Sequence, residues 1–408
     1  MARIVIFSYD RVIDRRAFLQ CNSLIAAGHE VALYALADAS AARDPAYVKR
    51  IGETAIGSSK LPLALRVRHG LQARFPNAFR LALPLLRFVY WQATRCDPAA
   101  LYLALYRDTL AEVGVADLYI AHDLPMLPVA REAKRRYGGK LLYDSHELFA
   151  EQEFSGMEKR MWRKLEAAMI HDADKVITVN PSIADFMEKR YAIHDVGVVY
   201  NAEWIADMPP AQGCLFHERL GLPAGARVVL YQGMYSYHRN LDGMVRAMAS
   251  IKDANVHLVL LGSGPAGEWL KQIAVAAGVA ARVHFMDAVP QAELLGYSAS
   301  ADLGVIPYRD ICLNYRYCTP NKLFEFIAAG LPMVATDLPE IARLIAYYQL
   351  GFTGDTASPQ ALAALLEKAL VPAVLEGLRA RVLTAREQVN WQIEGMKFAA
   401  IVQEILAA

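Results

Sequence analysis

Asn321, Lys322 and Glu325 crowd the start of one short stretch, TPNKLFEFIAAGLP (319–332). Thr319 followed by Pro320 predicts a helix N-cap and first turn, and Gly330-Leu331-Pro332 predicts the stop. An otherwise apolar helix therefore gathers its polar groups at its beginning. A helix start leaves backbone N–H groups unpaired and partly positive, so it attracts phosphate, and Lys322 adds a full charge. Glu325 lies on the same face, and helical side chains lean back toward the N-terminus. Phosphate on the amides with vicinal hydroxyls on the carboxylate would suit a phosphorylated sugar. A surface helix in which Glu325 pairs with Lys322 fits the same residues.

Two histidines form a second group. His122 (AHD) and His146 (YDSHE) each close an inferred strand beside a carboxylate, Asp123 and Glu147. Strand ends of this kind face a ligand in open α/β sheets. His146 is the first candidate for a catalytic role and His122 the second, with a structural role for His122 left open. His29 and His257 stand alone, and a lone histidine is usually structural, so a structural role is expected for both.

The elements that position these groups follow from the apolar rhythm. RIVIFS (3–8), EVALYAL (30–36), DLYIAH (117–122), KLLYDS (140–145) and KVITVN (175–180) are predicted strands with helices between them. The rhythm pauses over the Pro- and Gly-rich 202–226. It restarts with RVVLYQG (227–233), VHLVLLGSG (256–264), RVHFMD (282–287), DLGVIP (302–307) and LPMVAT (331–336). The fold expected is α/β, with two doubly wound parallel-sheet (Rossmann-like) domains and a ligand cleft at the carboxyl ends of their strands.

A length of 408 residues and 55% hydrophobic content suit two buried cores, and a net charge of +1 gives no reason to expect nucleic acid. Five cysteines, at 21, 96, 214, 312 and 318, form no CxxC pair, which fits a reducing compartment and argues against disulfides or a zinc site. The start MARIVIFSYD runs straight into a strand, so no signal peptide is expected, and no apolar run is long enough to span a bilayer. A cytoplasmic location follows as the expectation. One segment breaks the rhythm: 60–95 carries seven Lys/Arg among Leu, Phe, Val, Tyr and Trp, and no acid. That pattern suits an amphipathic contact with the inner face of an anionic membrane, each cation contributing about 1 kcal/mol near the surface. An insertion packed on the first sheet with solvated arginines is the plainer reading.

With LYQGMYSYHRNL, VLLGSGP, VHFMDAVPQAEL, SADLGVIPYRD and TPNKLFEFIAAGLPMVATDLPE in that order, 228–345 resembles the nucleotide-sugar domain of GT-B glycosyltransferases, the retaining family 4 group above all. GHEVALYAL, AHDLP, LYDSHELFAE, DADKVITVNPSIADF and VVYNAEW follow the family's order in the first half, and the segment around Trp391 is similar to the helix that crosses back. The resemblance implies an acceptor-binding domain over 1–205, with 60–95 inserted and 387–408 returning to it. It implies a nucleotide-sugar domain over 206–386. Glu325 matches the second glutamate of the family's Glu–seven residues–Glu motif, which holds the donor ribose; Tyr317 stands where the first would fall. Arg239 matches the basic residue on the diphosphate. The family's usual arginine upstream of it is absent near Gly233, a role Lys322 would share, and the amides of Asn321 and Lys322 are left for phosphate where Pro320 replaces the usual glycine. His146 matches the position next to the donor sugar's reacting carbon. Where family members place a glycine pair, SYDRVIDRRAF has Asp14, Arg15 and Arg16. With Glu147 these are read as acceptor-side residues, although capping the next helix would also explain them.

The implied activity is transfer of a sugar from a nucleoside diphosphate to an acceptor hydroxyl with retention, with no cofactor and no metal. Asp172-Ala-Asp174 is similar to a metal motif of another glycosyltransferase fold but precedes a strand, where a structural role is expected. The implied acceptor is a glycan or lipid-linked intermediate of cell-envelope or exopolysaccharide synthesis. A UDP-sugar epimerase and a catalytically silent, membrane-associated scaffold of the same fold are the alternatives.

Overall fold

The computed structural model describes residues 1–37, 44–51, 97, 99–206 and 213–408. The basic segment 60–95 lies outside the described residues. The chain folds as two compact units: 1–179 with 183–199 and 395–408, and 180–182 with 200–394. The chain passes between them at 179/180, 182/183, 199/200 and 394/395, the last inside the helix Trp391–Ala407.

Among the described residues, seven parallel strands build the first unit: β1 (Arg3–Phe7), β2 (Glu30–Leu36), β3 (Val48–Ile51), β4 (Leu118–His122), β5 (Lys140–Ser145), β6 (Lys175–Thr178) and β7 (Gly197–Val198). Their order is β3-β2-β1-β4-β5-β6-β7. Ile4, Val5, Ile6 and Phe7 are fully buried, as an unbroken apolar run in a sheet covered on both faces requires. Asp172 and Asp174 hold the sheet's approach through ion pairs to Arg131 and Lys134, a structural use of both carboxylates.

The second unit has six parallel strands: β8 (Arg227–Gln232), β9 (Val256–Leu261), β10 (Val283–Met286), β11 (Leu303–Ile306), β12 (Met333–Thr336) and β13 (Gly351–Gly354). Their order is β10-β9-β8-β11-β12-β13. Successive residues of β8 feed opposite cores. Val228 and Leu230 join Phe324, Phe326 and Leu344 on one face; Val229 and Tyr231 join Met244, Leu270 and Leu366 on the other. Each fully buried Phe or Leu contributes about 1.5–3 kcal/mol of burial.

In both sheets the strand order reverses beside the first strand, between β1 and β4 and between β8 and β11. Such a switch point opens a crevice at the carboxyl ends of the strands. Two positions there need glycine. Gly262, at φ +146°, lies so close to the end of β8 that a Cβ would fall 2.1 Å from the Gly233 carbonyl oxygen; Gly264, at φ +155°, meets Tyr235 backbone at 2.6 Å. The GSGP turn is thus a backbone-on-backbone brace for the loop after β8.

Candidate functional site

In the second unit the crevice holds the helix Asn321–Ala328. Thr319 was expected to cap it, but Pro320 takes the N-cap place with extended backbone (φ −67°, ψ 146°) and no side-chain cap. Proline's disfavour for helical backbone at its predecessor holds Thr319 outside the helix, so the helix begins one residue later than the Thr-Pro pattern predicts. Asn321, exposed, accepts a 2.6 Å hydrogen bond from Asn201 Nδ2 through Oδ1.

Lys322 is buried. Its Nζ donates to Tyr308 Oη at 2.9 Å and sits 4.5 and 4.7 Å from the ring centres of Tyr231 and Tyr308. Arg239 stacks its guanidinium 5.2 Å from the Tyr308 ring, and its Nε is a buried donor with no hydrogen-bond partner among the described residues. A Cβ on Gly233 would lie 3.6 Å from both Arg239 Nη1 and Lys322 Nζ, so the two cations converge on bare backbone at φ +117°. Burial, then the Arg239 charge, hold the Lys322 ammonium well below the usual lysine range, against the pull of Glu325. Two cations share a dry pocket walled by tyrosine, and an anion placed between them would relieve their repulsion. Glu325, 8% exposed, accepts from Gln232 Nε2, whose Oε1 accepts from Ser298 Oγ at 2.7 Å. Tyr317 ends the short helix Leu313–Tyr317 and is half-buried.

In the first unit the switch point is lined by charge. Asp14 caps the helix Arg15–Ala26 by accepting from Arg16 N at 2.8 Å, and Arg15 is half-buried. Arg16 and Gln20, one turn apart, point from that helix onto Asp144 at the end of β5. Arg16 Nε and Nη2 donate to the carboxylate at 2.9 and 3.0 Å, and Gln20 Nε2 donates at 2.6 Å. His146 follows β5: its Nε2 is 3.2 Å from Asp144 Oδ2, its Nδ1 is 3.5 Å from Asp123 Oδ2, and its backbone N–H donates to Asp123 Oδ1 at 2.8 Å. His122, at the end of β4, meets Gln20 Oε1 through Nε2 at 2.9 Å and packs edge-on against His146, ring centres 4.8 Å apart. Glu147 accepts from Gln152. Asp123 holds φ 61°, ψ 167°, backbone territory that glycine normally occupies, at a cost of about 1–3 kcal/mol.

Arg16 and Asp144 were not foreseen as a pair. Both are fully buried, 128 residues apart in sequence, and only the fold joins them. Burial opposes charge on Asp144, but Arg16 and then His146 hold its carboxyl well below the usual range. Burial also opposes charge on His146, which Asp123 and Asp144 reverse, raising it to about 9. His122 is driven down to about 3 by burial and by the His146 charge. His122, Asp144 and His146 bring potential metal-ligand atoms within 4.8 Å of one another. In this structure the Asp144 carboxylate is paired with the Arg16 guanidinium, and His146 Nε2 is turned to the same carboxylate oxygen.

Comparison with known proteins is consistent between the two halves. The model of the glycosyl transferase 4-like domain matches 13–202, and that of the glycosyl transferases group 1 matches 226–371. A D-inositol 3-phosphate glycosyltransferase of Thermobispora bispora is 28% identical over 209 residues, 48% of this chain and 47% of that protein. The match spans about half the length of such curated relatives. Among solved structures, a sucrose-phosphate synthase from Thermosynechococcus elongatus superposes with a TM-score of 0.76 at 18% identity, covering 100% of both chains. Anabaena HepE in complex with UDP-glucose gives 0.69 at 15% identity, covering 99% of this chain and 100% of that one. Those likenesses are of fold. With both domain models in order along most of its length, the chain belongs to the GT-B glycosyltransferases of the family 4-like type.

Proposed function

We propose that the protein transfers a sugar from a nucleoside-diphosphate sugar to an acceptor hydroxyl with retention of anomeric configuration. The observation that carries this reading is the convergence of Arg239 and Lys322 on Gly233, beside the open N-terminus of the helix Asn321–Ala328. On this reading the leaving diphosphate lies against both cations and the first helical amides, and Glu325 holds the ribose hydroxyls. The departing phosphate oxygen accepts the acceptor proton on the face where the new bond forms, so no protein nucleophile is required. Two buried cations supply the charge stabilisation that the leaving group needs, and the reading involves no metal. Neighbours of the same fold are consistent with such a donor, Anabaena HepE having been solved with UDP-glucose.

His146, His122, Asp14, Arg15 and Glu147 are assigned to the acceptor and reacting-carbon side, and Tyr317 to the donor side. For the acceptor we propose a lipid-linked glycan of envelope or exopolysaccharide synthesis, met at an anionic membrane through 60–95. That assignment rests on the composition of the segment alone. No helix among the described residues is long and apolar enough to cross a membrane.

A thermal-shift panel of UDP, GDP and ADP with their common sugars, on wild type and Glu325→Ala, tests the donor site. Ligand at 100 times its dissociation constant adds about 2.7 kcal/mol. Stabilisation by one nucleotide, lost in the variant, is expected. No response to any nucleotide, together with no hydrolysis of any donor, would refute the reading. Binding to anionic vesicles that vanishes when the arginines of 60–95 become glutamine tests the membrane contact.

A further inference from the structure

We infer that Asp144, backed by Arg16 and Gln20, is a positioning residue that holds His146 as an imidazolium facing Asp123, while Gln20 fixes the neighbouring His122 as a neutral imidazole. The inference rests on the glycosyltransferase reading for its catalytic meaning and on the geometry of the first unit for its content.

The geometry leaves little freedom. Asp144 accepts from three side chains: Arg16 in a two-pronged contact, Gln20, and His146 Nε2. A carboxylate only accepts, so the Gln20 group on it is the amide nitrogen, and Gln20 Oε1 is what faces His122. His122 must then donate from Nε2, which in a neutral ring leaves Nδ1 as a lone pair. That Nδ1 is buried and has no hydrogen-bond partner among the described residues. A second charge on His122 would stand edge-on to the His146 ring at 4.8 Å without a counter-ion of its own. One proton therefore belongs on the histidine pair's carboxylate side, at His146.

The groups around His146 come from every element packed on it. Among the described residues they are Asp10 after β1, Arg16 from the helix Arg15–Ala26, His122 at the end of β4, Asp123 just after it, and Asp144 on β5; Tyr9 and Glu147 lie one step out, against Asp123. Burial raises Asp123 to about 8 and Asp10 also upward, the His146 charge pulls both back, and against its own burial Asp123 and then Asp144 raise His146 to about 9. An imidazolium is a donor and a fixed charge, not a base. In the proposed reaction His146 then orients and stabilises oxygen atoms, and the acceptor proton leaves by the diphosphate. Its Nδ1–Asp123 contact, at 3.5 Å, is the looser of its two ion pairs. Nδ1–H is therefore the group available to turn toward a ligand.

The test uses the full-length protein with 15N-labelled histidine, titrated from pH 5 to 10 and followed by long-range 1H–15N spectra. His146→Gln and His122→Gln spectra assign the signals. In wild type His146 should show imidazolium shifts at pH 7.5 with a midpoint above about 8, and His122 should stay neutral in its Nε2–H form. In Asp144→Asn the His146 midpoint should fall by at least about one unit, a tenfold loss of proton affinity, and the high-pH limb of turnover should move with it. A neutral His146 at pH 7.5 in wild type, or an unmoved midpoint in Asp144→Asn, overturns the inference. Should Asp144→Asn not fold, Gln20→Met decides instead: His122 should lose its single tautomer while His146 keeps its high midpoint, and an unchanged His122 tautomer refutes the claim. Nucleotide stabilisation recorded on the same samples separates this result from failure of the glycosyltransferase reading.

Discussion

Replacing Lys322 with Met should raise the stability of the free protein while weakening nucleotide binding. Methionine keeps the length and volume of the side chain among Tyr231, Tyr308 and Gly233 but removes a buried charge. The losses in the free state are one hydrogen bond to Tyr308 Oη and two ring-face contacts; the gain is relief of the desolvation and the repulsion from Arg239. Exchanging buried charge for well-packed apolar atoms ranges from neutral to a few kcal/mol stabilising. We expect between zero and about 2 kcal/mol, or up to about 6 °C in Tm. Losing a charge-assisted contact to diphosphate costs about 1.5–3 kcal/mol, a 10- to 100-fold rise in Kd. The proton balance adds a second readout. Lys322 binds its proton in the unfolded chain up to about pH 10.5, whereas the folded state holds it less tightly. Stability therefore rises with pH through the window below 10.5 in wild type, and Lys322→Met should lack that slope. Diphosphate favours the protonated form, so wild-type affinity should fall as pH rises through the folded-state midpoint of Lys322, and the variant should lack that dependence. A variant destabilised by more than about 1 kcal/mol, or one that binds nucleotide as tightly as wild type, would refute the reasoning.

Two further substitutions test the framework of each unit. Gly262→Ala puts a Cβ 2.1 Å from the Gly233 carbonyl oxygen at φ +146°, where neither partner is a movable side chain. It should cost about 2–5 kcal/mol in urea unfolding and weaken nucleotide binding by displacing Gly233; an unchanged midpoint would contradict the bracing role. Arg16→Met strands the Asp144 carboxylate and should cost about 3–5 kcal/mol, with much of the loss recovered in Arg16→Met/Asp144→Leu. Additive losses in that double variant would show that the pair is not the source of the stability.

The fold was legible wherever apolar runs were long. β1, β2, β4, β5, β8, β9, β11 and β12 are buried on both faces, so each carries a run of consecutive residues drawn mainly from Val, Ile, Leu, Ala, Phe, Tyr and Met. Three strands carry no such mark: VKRI at β3 is half charged, GFTG at β13 is half glycine, and β7 is two residues long. Their pairing is decided by the neighbouring strand rather than by their own pattern. At the sites, Lys322, Glu325 and Arg239 stood out because charge near a helix start or strand end is locally visible. Gln232 under Glu325, Tyr308 under both cations, and Arg16 against Asp144 did not, because each partnership spans 14 to 128 residues. In the sequence Arg16 reads with Asp14 and Arg15 as an acceptor-side or helix-capping residue, not as the buried partner of Asp144. Its burial comes from helical phase, which turns Arg15 partly outward and Arg16 onto the sheet.

The division of the chain at 199/200 and 394/395 has a consequence for the order in which the molecule can be completed. Residues 395–408 follow the whole of 200–394 in the chain, yet they belong with 1–179 and 183–199. Phe398, Val402 and Ile405 are buried, and Ile401 lies within 3.2 Å of where a Cβ on Gly197 would stand, over the two-residue edge strand β7. During synthesis residues 200–394 therefore precede the segment that covers the first sheet's edge, and a chain ending at Glu394 would lack the Phe398, Ile401, Val402 and Ile405 cover beside β7 while the second unit had all of its residues.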